Sequence, residues 1–243
     1  MKKVALASLV CFVLIGCGGG GSGDSGEVDD SVVRGNETAI SLSVTDINLT
    51  KEIKEEKLII DSSDSLENQY LTVINHLRSL KIKCNDSSAK VGPSPEVTWN
   101  ALLANAAKEH STDYNSSGIY NRNHSGSGTT FDITATEKSL GRGSTPAERV
   151  KYNGYDGFSG ENQATYVSYY ETNRRPPNFS AINDDTWLSI MEGWMKSTSG
   201  HCSNIMNPIF EDFGMYEAGV NVENNGTHTL HSTYWTQEFG KPD

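Results

Sequence analysis

Three polar residues far apart in the chain have the types a small chemical site needs. His124 lies in a run of Asn123, Ser125 and Gly126, Glu161 lies between Gly160 and Asn162, and His201 follows Gly200 and precedes Cys202. Two neutral imidazoles can hold zinc at about 2.0–2.1 Å, and a carboxylate can be the third ligand or hold a water. Three protein ligands with an open position would activate that water, so a hydrolase is one chemistry open to the set, with Glu161 as its catalytic base. Two features oppose it. There is no His-Glu-x-x-His helix, whose i, i+4 histidines make a dependable site. Ser197 and Ser199 stand near His201, but nothing in the sequence marks either as an activated nucleophile. A ligand- or partner-binding module and a purely structural polar network are the competing readings. A histidine in a polar loop, as His124 is, is otherwise simply solvated.

Amphipathic helices must position these groups. Tyr70, Val73, Ile74, Leu77 and Leu80 recur at helical spacing and predict a helix over 66–80, with Asp64 and Glu67 at capping-box spacing. A second helix is predicted over 99–117, striped by Leu102 or Leu103, Ala106 and His110. His110 is either a satisfied buried histidine or a partner of the site. A short helix starts at Thr145 and Pro146 and closes at Gly154 and Tyr155. A third long helix starts at Asp184 and Asp185, whose charges suit the helix dipole, and carries Trp187, Ile190, Met191 and Trp194. Glu192 falls about 140° around it from Trp187, which places it in solvent. His201 then sits in the turn after this helix, before Pro208.

The remaining segments read less regularly. Residues 85–95 are a loop, and 163–180 are loop or weak strand, with Tyr166, Val167, Tyr169 and Tyr170 before a corner of Arg174, Arg175, Pro176 and Pro177. Those tyrosines line an apolar groove or simply pack. Residues 214–239 are strand-like, with a hairpin turn at Asn224, Asn225 and Gly226. His228 and His231 are three apart and face opposite sides of a strand, which argues against a shared metal site there. Residues 40–49 suggest a short strand and 51–57 a charged helix; whether 31–63 packs on the domain or belongs to a tether is open.

The first 16 residues read as a signal peptide: Met1, Lys2 and Lys3, then an apolar run over 4–15 that falls short of the ~20 residues a spanning helix needs. Leu14, Ile15, Gly16 and Cys17 look like a bacterial lipobox, in which Cys17 is lipidated; the alternative is an ordinary secretory signal. A Gly/Ser and acidic tether follows over 17–63, ahead of a domain over 64–243. A lipid at Cys17 anchors the protein to the cell envelope without spanning the membrane, at the outer membrane or cell surface. The net charge of −11 argues against nucleic acid, whose binding needs Lys and Arg to neutralise phosphates. Of the four cysteines, Cys11 leaves with the signal peptide and Cys17 carries lipid. Cys84 and Cys202 remain, and in an oxidising compartment a disulfide is the default. It would pin His201 against the end of an early helix.

The order of these motifs resembles a known family. Asn75 to Arg78, Thr98 to Asn100, His110 to Asp113, His124, Arg149 with Gly154 and Tyr155, Gly160 to Asn162, Trp194 to Ser197, Gly200 to Pro208, and Tyr234 to Gln237 resemble the CAP superfamily of cysteine-rich secretory, antigen 5 and pathogenesis-related proteins. The bacterial, SCP-like branch is the nearest in pattern, over residues 66–240. The resemblance implies an α+β fold, a three-layer α-β-α sandwich around a central antiparallel sheet. It implies a cavity of two histidines and two acids, able in several members to hold a divalent metal such as zinc. His124 and His201 match the histidines and Glu161 the first acid; Ser197 stands where the second acid would be. Cys84 and Cys202 match the cysteine pair of one bacterial subgroup. Some members are reported proteases, and others bind sterols, fatty acids or partner proteins in grooves beside the cavity. A lipid or protein ligand is therefore the expected partner, with the aromatic segment around Tyr166 to Tyr170 as candidate surface.

Overall fold

A computed structural model of the chain describes residues 11–15, 42–86, 92–121, 123–171, 186–224 and 228–243. Its centre is a sheet of three long strands, β5 (Gly157–Glu171), β6 (Asp212–Asn224) and β7 (His228–Pro242). β7 lies in the middle, antiparallel to both neighbours. Two short strands extend the edges, β4 (Thr98–Trp99) parallel to β6 and β1 (Cys11–Ile15) antiparallel to β5, giving the order β1-β5-β7-β6-β4. A separate parallel pair joins β2 (Leu42–Ser43) to β3 (Ile82–Lys83).

Helices cover both faces of this sheet. On one face lie α3 (Ala101–Ser117), α4 (Ile133–Glu137) and α5 (Pro146–Tyr152); on the other lie α1 (Leu49–Lys54), α2 (Leu66–Ser79), α6 (Thr186–Lys196) and α7 (His201–Ile205). Consecutive residues of β7 reach opposite layers: Thr236 Oγ1 accepts from Ser111 of α3 at 2.8 Å, while Gln237 Nε2 contacts Met191 Sδ of α6 at 3.0 Å. This is the expected α-β-α sandwich. The main apolar core lies between the sheet and the α2/α6/α7 layer, built from residues such as Ile74, Leu77, Ile190, Trp194, Ile205, Phe213, Trp235 and Phe239. On the other face α3 approaches β6 so closely that a Cβ on Gly214 would run into the Ala104 backbone.

Each helix starts where a side chain satisfies its orphan N–H groups. Asn100 caps α3, and a capping box of Thr145 and Glu148 opens α5. In α2 the cap is Ser65, which accepts from Asn68 N, one residue after the Asp64 that the spacing suggested. Trp187, Leu188, Ile190, Met191, Trp194 and Met195 bury the inner face of α6.

Several expectations are corrected. The strand expected over 40–49 shrinks to Leu42–Ser43, because Ser43 and Asn48 cap helical turns on their C-terminal side. Val44, Ile47, Leu49 and Leu58 are buried in the main core, so this segment packs on the domain. Glu192 is not simply solvated: its Oε1 accepts from Leu49 N at 2.7 Å and so ties α1 to α6. Residues 157–171, read partly as loop, form a full strand, since its two faces both meet helices and neither needs to be polar. Residues 11–15 of the apolar leader pair with β5 at the sheet edge in the unprocessed chain. Cys17, most of the Gly/Ser tether, the Arg174 to Pro177 corner, and Asp184 and Asp185 lie outside the described residues.

Candidate functional site

The site is assembled around β5. Side chains at Glu161 and Gln163 turn toward α3 and α5, while Asn162 turns toward α7. His124 comes from the loop after α3 and His201 from the first residue of α7, so the two imidazoles arrive from opposite layers. Their ring centroids are 6.5 Å apart. Both are buried, as is Glu161.

His124 is held in a left-handed backbone conformation, φ 63°, which a residue other than glycine adopts at a cost of about 1–3 kcal/mol when its surroundings enforce it. The surroundings here are specific. Arg149 Nη2 donates to the His124 carbonyl at 2.9 Å, and His124 N donates to Asn121 O at 3.2 Å. Tyr114 Oη reaches the carbonyls of Asn121 and Ser125 at 2.9 and 3.0 Å. The imidazole Nδ1 then lies 2.8 Å from Glu161 Oε1.

Glu161 is the hub. Oε1 meets His124 Nδ1 and stands 3.3 Å from His110 Nε2; Oε2 accepts from Arg149 Nη2 at 2.7 Å. His110 is thus a partner of the site as well as a core residue, and it also approaches Gln163 Oε1 at 3.2 Å. Burial alone would raise the Glu161 pKa, but Arg149, His110 and the His124 hydrogen bond hold it well below the ordinary value. Burial pushes the His110 imidazolium down to about 3, helped by the nearby Arg149 charge. Burial opposes the Arg149 charge too, yet Glu161 and Glu238 outweigh it and raise its pKa. The guanidinium completes its contacts with Ser144 O and Oγ at 2.8 and 3.1 Å.

His201 is fixed differently. Its Nδ1 lies 3.0 Å from Ser197 Oγ, at the position where the resemblance placed an acid. A hydroxyl can orient the ring as a carboxylate would, without adding charge. Asn162 Nδ2 donates to the His201 carbonyl at 3.2 Å and to Gln237 Oε1 at 3.0 Å, and Asn204 Nδ2 bridges Glu161 O and Asn162 Oδ1. The disulfide Cys84–Cys202 is present, Cα atoms 5.6 Å apart, and fastens α7 to the segment after α2. Arg78 of α2 donates to the carbonyls of Pro95, Ile205, Asn207 and Phe210, holding the turn that follows α7.

The donor set fits zinc only in part. Among the described residues, the candidate ligand atoms of His124, Glu161 and His201 do not all come within 4.8 Å of one another. The one group that does, Cys84, Asp86 and Cys202, has its sulfurs in a disulfide and offers no thiolate. Glu161 is placed to orient His124 rather than to ligate. A hollow of about 380 Å³ on α2, lined by Leu71, Thr72, Asn75, His76, Ser79 and Glu96, contains none of the site residues. Tyr166 packs against the main core, and the side chains of residues 167–170 lie outside what the structure describes.

Sequence reasoning left Arg149 without a role and did not single out Glu238. A short helix that buries an arginine carries the same alternation as one that exposes it. Ser197 and His201, four apart across a helix end, offered a usable signal.

A sheet sandwiched by two helical layers, with two buried histidines meeting over an arginine-bound glutamate, defines an extracellular-type α-β-α module. The chain belongs to the CAP family: the model of the cysteine-rich secretory protein family matches residues 71–239. Comparisons with curated proteins and with solved structures give no significant match. Among the described residues no helix is long and apolar enough to cross a membrane.

Proposed function

We propose that the chain is an exported, lipid-anchored CAP module of the bacterial cell envelope that binds a ligand or partner protein at the His124–Glu161–His201 site without turning it over. One observation carries this reading: both carboxylate oxygens of Glu161 are committed, Oε2 to Arg149 and Oε1 to His124 and His110. A general base must be able to reach the proton it removes, and a carboxylate so saturated with donors is a poor one. The lipobox at Cys17 and the acidic Gly/Ser tether support anchoring and display away from the membrane.

A second reading, a metal-dependent hydrolase, is favoured by the 6.5 Å approach of the imidazoles and by the Ser197–His201 contact. Zinc would then be held by His124 and His201, with Glu161 and Ser197 orienting the rings as outer partners. The metal would supply Lewis-acid activation of water. The test is turnover of protein and ester substrates by the disulfide-intact chain with and without zinc, beside calorimetric zinc titration of the parent, His124→Ala and His201→Ala. The binding reading expects no turnover. Turnover that is lost in folded Glu161→Gln and His201→Ala overturns it.

A further inference from the structure

Glu238 belongs to the same buried cluster, and neither ligand binding nor hydrolysis at His124, Glu161 and His201 calls on it. β5 and β7 pair with Glu161 directly opposite Glu238. Directly opposed Cβ atoms in an antiparallel pair are about 4.5–5.5 Å apart, so the two carboxyl groups share one pocket facing α3 and α5. Glu238 is 0 % exposed, and neither of its oxygens has a hydrogen-bond partner.

The charged and titratable groups around it come from every packed element. β5 brings Glu161, α5 brings Arg149, α3 brings His110 and Tyr114, and the loop after α3 brings His124. β6 presents only Gly214 opposite Glu238. Arg149 is the one permanent cation of this set, and its Nη2 already serves Glu161. A second anion here would be buried, unpaired and beside a like charge. Each of these conditions alone costs several kcal/mol on the order-of-magnitude scale for buried ions. Two carboxyl groups in one site respond to that cost by keeping one proton between them.

We propose that Glu238 is a positioning residue of the site, standing as a neutral carboxylic acid beside the ionised Glu161 and keeping a proton within one strand spacing of it. Burial first, and then the charge of Glu161, raise its pKa well above the ordinary glutamate value, with Arg149 partly opposing. The proton can move from a Glu238 oxygen to a Glu161 oxygen. Glu238 is then the carboxylate and Glu161 the acid, and the cluster keeps one anion facing one guanidinium throughout. A ligand that draws His124 away from Glu161 is thereby met by a proton from inside the protein, with no entry of solvent.

The proton is held in this way whether the site binds or hydrolyses. Its presence is tested by infrared difference spectroscopy with glutamate-selective carboxyl ¹³C labelling, on the full chain with the disulfide intact. The chain carries Glu217→Gln, because Glu217 is itself pushed up to about 7 by burial. At about pH 7, well above the ordinary glutamate pKa of about 4.3, the expected result is the carbonyl band of one protonated glutamate. It disappears in Glu238→Gln, and also in Glu238→Asp, which keeps an acid but moves it out of the labelled set. Absence of the band in the parent overturns the proposal whether or not either variant folds, and so does its persistence in a folded Glu238→Gln. A merely structural glutamate would stay ionised and give no such band.

Discussion

Replacing Arg149 by methionine removes the only guanidinium that faces Glu161 while keeping an unbranched side chain in its place. Glu161 would remain fully buried while its Oε2 is deprived of a donor, and Ser144 O, Ser144 Oγ and the His124 carbonyl would each be deprived of one too. Removing one partner of a buried ion pair costs about 3–5 kcal/mol, most of it the penalty of the charge left behind. For a domain of this size each kcal/mol lowers Tm by about 2–4 °C, so the shift should be on the order of 10 °C. The assay is thermal unfolding by circular dichroism at pH 7 of the parent, Arg149→Met, Glu161→Gln and the double variant. Once Glu161 is neutral the guanidinium has little left to pair with, so the double variant should lose well under the sum of the two single losses. The pH dependence gives a second check. Because the Glu161 pKa is depressed in the fold, its stabilisation is present above the unfolded value near about 4.3 and lost as pH falls through the folded value. Arg149→Met should therefore cost much less at acidic than at neutral pH. Additive losses, or a loss below about 1 kcal/mol, would refute the claim that Arg149 neutralises a buried carboxylate.

Two further outcomes follow from the same structure. Reducing Cys84–Cys202, or replacing both by alanine, opens a cross-link of sequence separation 118 and should cost about 4–5 kcal/mol on the chain-entropy estimate, read as a lowered urea midpoint with the slope checked for denatured-state changes. Glu217, raised to about 7 by burial, contributes stability that is complete below its unfolded pKa and lost as pH rises through about 7; urea unfolding of Glu217→Gln should therefore show a smaller decline between pH 6 and about 8 than the parent.

The helices were legible because each has one buried face and a capping residue close to its start. Tyr70 to Leu77 on α2 and Trp187 to Trp194 on α6 repeat at the helical period, and both stripes are buried. β5 was harder to read because a strand covered on both faces loses the alternation that marks a half-exposed one. Glu161, Asn162, Gln163 and Ala164 are all buried, and three of the four are polar. Glu192 was misplaced because helical geometry gives an angle around one axis, and the α1 terminus it serves comes from more than a hundred residues upstream.

Local matters were settled by residue order: the positions and periodicity of the helices, the exclusion of a strongly basic binding surface, the pairing of the two remaining cysteines, and, through motif order, the family and the identity of His124, Glu161 and His201. How these groups are used was settled by the packing of distant segments. Arg149 and Glu238 became members of the site because a short helix and the neighbouring strand happen to face Glu161. Ser197 became the partner of His201 because the end of α6 and the start of α7 fold back on each other. Protonation and hydrogen bonding of a buried group depend on every charge and dipole within a few ångströms, and in this fold most of those neighbours are distant in sequence.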